Sequence, residues 1–253
     1  MKVMRKCLIA LMMVCLLPLS AHAEQVIVAA AANVQFTLEE LKAEFTKETG
    51  IDVKAIIGSS GKLTSQIENG APFDVFMSAD MDYPKRLNSD GITIGEPKIY
   101  AYGYLVLWTL KDIDLSKGMA GLSDESIRKI AIASPKLAPY GRQAVNAMKY
   151  NHLYPSITSK LVYGESISQV NQFITTKAVD VGLTAKSVML APHMKDKGKW
   201  VEVDTQSYEP IAQGAVILKH SQKQHATSAK KFYDFLFSSQ AQDIYKKYGY
   251  KLP

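Results

Sequence analysis

The stretch Gly58-Ser59-Ser60-Gly61 sets two hydroxyls between two glycines, after the apolar pair Ile56-Ile57 and before Leu63 and Ile67 at helical spacing. A strand-to-helix turn of this composition could hold a nucleophile, cradle a phosphate, grip another anion, or only turn the chain. A helix start offers unpaired backbone N–H groups and the positive end of a dipole, which together suit an anion. Three more turns are furnished in the same way: Ala31-Ala32-Asn33, Ala138-Pro139-Tyr140-Gly141 and Glu165-Ser166-Ile167. Taken one at a time, Asn33, Ser60 and Ser166 read as ordinary N-caps, each worth about 1 kcal/mol to its helix. Thr37 with Glu40 also makes a capping box that would start the first helix later.

Taken together, the four turns favour an anion. They carry no Arg or His, only Lys62 lies beside one, and Glu165 opposes an anion unless its side chain points away. Two donors per helix start give about six or seven hydrogen bonds from neutral groups. A site of backbone N–H groups and hydroxyls offers no protonatable acceptor for a proton on the guest. A protonated oxyanion would leave its O–H unpaired, at a cost of about 1–3 kcal/mol. A fully ionised tetrahedral oxyanion fits best, so molybdate, tungstate or sulfate suits the turns better than phosphate.

Catalytic readings fit less well. A nucleophile elbow needs Gly-x-Ser-x-Gly; Gly58-Ser59-Ser60-Gly61 is one residue short, and Gly164-Glu165-Ser166-Ile167-Ser168 lacks the last glycine. An exported hydrolase using Ser60 or Ser166 stays as the alternative from another class. Its triad would need one of His152, His193, His220 or His225, which stand in polar, helix-end or loop contexts and read as surface residues. A phosphate loop needs Ser or Thr after Gly-Lys, and Gly61-Lys62 is followed by Leu63. His220 and His225 are five apart, which does not align two metal ligands on a helix. Asp74, Asp80 and Asp82 lack a calcium-loop pattern and read as a solvated acidic edge.

Strand-like and helix-like segments alternate around these turns. Strands are expected at Val26–Ala30, Ile51–Ile57, Phe73–Ser78, Lys129–Ala133, Lys160–Tyr163 and Val181–Ala185. Helices are expected from Val34 to Gly50 and at Lys62–Asn69, Tyr83–Ser89, Arg142–Tyr150 and Ser168–Lys177. The alternation implies an α/β fold with parallel sheets covered on both faces. No repeat and no low-complexity linker interrupts it. Two long apolar stretches, Lys98–Leu110 and Tyr208–Lys219, bracket the middle of the chain. They predict a hinged clam in which lobe one is 24–101 with 214–253, lobe two is 102–213, and two crossover strands join them. Two tail helices, around Phe232 and Ile244, close lobe one. The turns then lie at the carboxyl ends of strands, where open α/β sheets bind ligands, two from each lobe. One continuous sheet is the alternative.

The first residues read as an export signal. Lys2, Arg5 and Lys6 precede the apolar Cys7–Leu19, and Ala21-His22-Ala23 offers cleavage before Glu24. Cys15 suits lipid attachment poorly, because Val14 stands where a small residue is expected. Removing this 23-residue leader from 253 residues leaves 230, enough for one large domain or two small ones. Both cysteines lie in the leader, so disulfides and thiolate-bound metals are not expected beyond it. Three of the 30 basic residues go with it and all 24 acidic residues remain, a net charge of +3 without any basic run. Nucleic acid and anionic membrane are poor partners for such a surface.

The segments "AAANVQFTLEELKAEFTKETGI", "GSSGKLTSQIENGAPFDVFMSAD", "YGYLVLW", "IAIASPKLAPYG" and "YEPIAQGAVI" carry a family pattern in order and spacing. Through them the chain resembles the periplasmic molybdate-binding proteins of ABC importers, over essentially all of it beyond the leader. The resemblance implies a two-lobed periplasmic binding fold, no catalysis, no cofactor, a monomer, and capture of molybdate or tungstate for an inner-membrane permease. It also implies an oxyanion held through its oxygens by Asn33 and the Ala32 N–H, by the Ser60 hydroxyl and N–H, and by the N–H groups of Tyr140 and Ile167. Ser59 and Gly61 are second-tier candidates. Many members have Ser at position 33 and a tyrosine at position 185. Here Asn33 and Ala185 stand instead, which matches an Asn-containing subtype and leaves a fifth ligand open.

Overall fold

The computed structural model describes residues 25–253, so the basic and apolar leader, Cys7, Cys15 and the Ala21-His22-Ala23 motif lie outside the described residues. The chain opens with β1 (Gln25–Ala31), α1 (Gln35–Thr49), β2 (Asp52–Gly58), α2 (Ser60–Glu68), β3 (Val75–Met77), α3 (Asp82–Ser89) and β4 (Thr93–Gly103). The helical spacing in α1 buries Leu38, Leu41 and Phe45 on one face. Gly50 ends that helix in the left-handed region (φ 73°), where its N–H reaches Thr46 O at 2.8 Å.

The middle of the chain supplies β5 (Leu105–Thr109), β6 (Ile130–Ala133), α4 (Pro139–Tyr150), the single turn α5 (Tyr154–Ile157), β7 (Leu161–Gly164), α6 (Ile167–Thr175), β8 (Val181–Ala185), the short α7 (Lys186–Met189) and β9 (Lys199–Glu202). The tail returns through β10 (Ile211–Leu218), α8 (Ala226–Phe235) and α9 (Ser239–Lys247). Phe45 of α1 packs against Phe232 and Phe235 of α8, with ring centroids 5.1 and 5.5 Å apart, so the tail seals the part of the fold that the first residues began.

Two five-stranded sheets result, not one. Their strand orders are β2-β1-β3-β10-β4 and β7-β6-β8-β5-β9. In the first, β1 runs parallel to β2 and β3, whereas β10 is antiparallel to β3 and β4. In the second, β6 runs parallel to β7 and β8, and β5 is antiparallel to β8 and β9. Parallel sheets were expected; each sheet has a parallel core with one antiparallel strand added. The antiparallel strands are those that carry the chain between sheets, where no crossover helix imposes a parallel course. The apolar stretch Lys98–Leu110 is two strands, β4 in one sheet and β5 in the other, with the change at Tyr104. The edge strand β9, only four residues and half-buried, was not expected.

The parallel strands place the turns. Ala31, Gly58 and Met77 end β1, β2 and β3 on one sheet, and Ala133 and Gly164 end β6 and β7 on the other. The two edges meet: Gly61 N–H donates to Leu137 O at 2.8 Å.

Candidate oxyanion-binding site

Where the edges meet lies a small cavity of about 10 Å³, room for one water-sized body. Drug-sized pockets start at about 300 Å³, so the cavity is far too small for an organic ligand. From the first sheet it is lined by Ala32, Asn33, Ser59, Ser60 and Ala79, and from the second by Ala138, Tyr140 and Ile167. No ionisable carboxylate, amine, guanidinium or imidazole is among the lining residues. The sequence singled out all of these except Ala79, which follows β3 and carries no polar side chain to flag it.

Four helix starts aim at the cavity. Ala32 and Asn33 open a turn of 3-10 helix, Ala32–Val34, that leads into α1. Ser60 is the first residue of α2, Tyr140 the second of α4 and Ile167 the first of α6. First-turn amides have no acceptor within their own helix, and those of Ser60, Tyr140 and Ile167 make no turn or loop bond either.

The side chains at these starts are not caps. Ser59 and Ser166 are the N-cap residues of α2 and α6, and neither makes a side-chain cap bond. Ser59 is 2% exposed and its Oγ has no hydrogen-bond partner. At the surface helix α9 the same residue type behaves differently, since Ser238 accepts from Ala241 N–H at 3.2 Å. Ser60 Oγ accepts from Ala79 N–H at 3.0 Å, which leaves its own proton to donate. The Thr37–Glu40 capping box is not used, because α1 begins upstream at Gln35.

Two expected ligands take other partners. Gly61 has only its N–H to offer, and Leu137 O holds it; the helix start comes so close to the facing loop that this amide joins the two edges instead of facing the cavity. Asn33 Nδ2 donates to Gln213 Oε1 (2.7 Å) and Tyr250 Oη (3.4 Å), so both its side-chain hydrogens are engaged by protein partners. Asn33 O accepts from Ser187 Oγ at 2.8 Å. Ala185 is buried at the end of β8, just before α7 and Ser187, and does not line the cavity. Glu165 turns outward, where Lys62 Nζ meets its carboxylate at 3.0 Å.

Several residues read as surface groups are not. Asp74 is fully buried, with Oδ2 3.0 Å from His225 Nδ1 and Oδ1 3.5 Å from His220 Nδ1. The segment after β10 folds back over the start of β3 and covers this carboxylate. Asp80 is largely buried as well, paired with Arg142 from α4. None of the four histidines among the described residues lines the cavity; His193 instead packs edge-on against Phe36 at 4.3 Å.

Known proteins share this fold. A family model described as bacterial extracellular solute-binding protein matches residues 26–251. The molybdate-binding protein of Rhodobacter capsulatus is 40% identical over 242 residues, covering 95% of this chain and 94% of that protein. The molybdate-binding protein of Azotobacter vinelandii is 38% identical over 238 residues, 94% of each chain. The solved structure of the Azotobacter vinelandii periplasmic molybdate-binding protein aligns with a TM-score of 0.83 at 34% identity, over 90% of this chain and 99% of that one. The two sheets with a cleft between them are therefore the periplasmic binding protein fold, and the chain belongs to the bacterial extracellular solute-binding protein family.

Proposed function

We propose that this protein captures molybdate, and tungstate with it, in the cavity between its sheets and hands the ion to the permease of an ABC importer. One observation carries the reading: Ser59 keeps a buried hydroxyl with no protein partner, beside first-turn amides that also lack one. An unpaired buried polar group costs about 1–3 kcal/mol, and a dianion at that point accepts from all of them at once. Names of relatives in two organisms support molybdate. The proposed ligands are the N–H groups of Ala32, Asn33, Tyr140 and Ile167, and the hydroxyls of Ser59 and Ser60 with the Ser60 N–H. Residues 1–23 direct export to the periplasm, where the protein acts as a monomer without catalysis. Its lobes, 24–101 with 214–253 and 102–213, hinge where β4 gives way to β5 and where the chain returns to β10.

Thermal melting with molybdate, tungstate, sulfate and phosphate tests this, because a ligand of the native state raises apparent stability by mass action. Molybdate and tungstate should raise the midpoint at ligand concentrations where phosphate does not. A shift with sulfate alone would reassign the ligand, and no shift with any of the four would remove the oxyanion reading.

A further inference from the structure

Gln213 is fully buried on β10, at a register shift between β10 and β4 that falls between Gln213 and Gly214. Irregularities of this kind re-aim a side chain. Its Oε1 accepts from Asn33 Nδ2 (2.7 Å) and Tyr100 Oη (2.9 Å), and its Nε2 donates to Tyr140 Oη (3.4 Å). Two of these partners, Asn33 and Tyr140, line the cavity from opposite sheets. Gly103, at the crossing from one sheet to the other, leaves the space: a Cβ there would collide with Tyr140 Oη and lie 2.5 Å from Gln213 Nε2. Burial pushes the Tyr100 and Tyr140 hydroxyls well above their ordinary range, so the cluster stays neutral and fully protonated.

The geometry points to Gln213 as a positioning residue for the anion site: one amide on the returning crossover strand fixes Asn33 and Tyr140 relative to each other, so that their N–H groups converge only when the lobes are shut. This inference rests on the oxyanion reading above. Gln213 itself does not line the cavity. It acts by satisfying the side chains of two residues that do. Without its amide, Tyr140 Oη loses the Gln213 donor and Asn33 Nδ2 is left with Tyr250 Oη at 3.4 Å alone, so both residues are held less firmly and their N–H groups drift off aim.

The test uses the protein without its leader, titrated with molybdate by calorimetry, with dissociation followed by stopped-flow fluorescence. Gln213→Leu should bind at least about tenfold more weakly, with most of the change in the dissociation rate. Tyr140→Phe keeps the Tyr140 N–H and removes only the hydroxyl; it should weaken binding about threefold. The double variant should be no weaker than Gln213→Leu alone, since both break one network. If Gln213→Leu does not fold, Gln213→Glu replaces it: a carboxylate can accept from all three partners but sets a negative charge behind the anion, and should bind at least about tenfold more weakly at neutral pH. A residue that only supports the fold would lower the melting midpoint of the ligand-free protein and leave affinity alone. Folded Gln213 variants within about twofold of the parent, a difference below the ~0.5 kcal/mol of the weakest net hydrogen bond, overturn the inference. A parent protein that does not bind molybdate overturns the functional reading first.

Discussion

Ser59 and Ser60 sit side by side, yet only one has a partner. Ser60 Oγ takes the Ala79 N–H and so ties α2 to the loop after β3, while Ser59 Oγ is buried and unpaired. The two alanine substitutions should therefore separate binding from folding. Ser59→Ala removes a desolvated hydroxyl, so the ligand-free protein should melt no lower than the parent, while molybdate binding weakens by about 1–3 kcal/mol, the range for hydrogen bonds to a charged group. Ser60→Ala should weaken binding by a similar amount and also cost about 1 kcal/mol of stability, because the Ala79 N–H loses its acceptor. Calorimetry and melting of both variants check this, and equal midpoints for the two would contradict the assignment. The sequence presents Gly58-Ser59-Ser60-Gly61 as near-equivalent hydroxyls. Which one is an orphan depends on α2 starting at Ser60 and on a contact from Ala79, a residue 19 positions away with no polar side chain to advertise it.

Among the elements, the alternation of strands and helices could be read because each has its own period and its own stop, as in α1 with its apolar face and Gly50. The chain's changes of sheet could not be read so well. The run Lys98–Leu110 is largely apolar between Lys98 and Thr109, so its hydropathy does not mark Tyr104 as the place where one sheet hands over to the next. Gln213 is the polar exception inside the apolar run of β10, and a polar residue there calls for a buried partner; its partners lie far off in sequence, and only the fold names them. Asp180 shows how such polar groups pin elements together. It joins the start of β8 to the entry of β6 by accepting from Arg128 N–H (2.7 Å) and Lys129 N–H (2.8 Å), with Lys111 Nζ at 2.6 Å. Partial burial pushes its pKa up, but these donors outweigh that and hold it below the ordinary value. A carboxylate with a depressed folded pKa contributes stability that is present above its unfolded value, near pH 3.8, and is lost as pH falls through the folded one. Asp180→Asn should thus destabilise by about 1–2 kcal/mol at neutral pH, and urea unfolding should show the gap closing below that value. A gap that is the same at pH 7 and in strong acid would sink the account.

At the scale of the whole molecule, the two sheets meet along a seam that combines one largely buried ion pair, Asp80 with Arg142, with several neutral hydrogen bonds. Besides Gly61 N–H to Leu137 O, the sheets are joined by Ser168 Oγ to Gln35 Oε1 (2.8 Å), Ser187 Oγ to Asn33 O (2.8 Å) and Tyr83 Oη to Lys136 O (3.3 Å). The rim pair Lys62–Glu165 is solvent-exposed, and such pairs contribute at most about 1 kcal/mol. A ligand that touches both lobes would add to these contacts and shift the population toward the shut state. Gly61 is where this can be tested without touching the proposed ligands. A Cβ at that position would lie 2.7 Å from Tyr83 Oη, 3.0 Å from Leu137 O and 3.1 Å from Leu137 Cα. The tyrosine tip can swing aside, but the Leu137 backbone can yield only if the lobes part. In the open form Leu137 is no longer near, and Ala is the better helix former by about 1 kcal/mol. Gly61→Ala should therefore melt at or above the parent's midpoint when ligand-free, yet bind molybdate at least about tenfold more weakly, or 1.4 kcal/mol. Small-angle scattering should show the parent contracting on addition of molybdate and the variant contracting less. A variant that binds and contracts like the parent would mean that the Leu137 contact is not part of closure, and that the seam lies elsewhere.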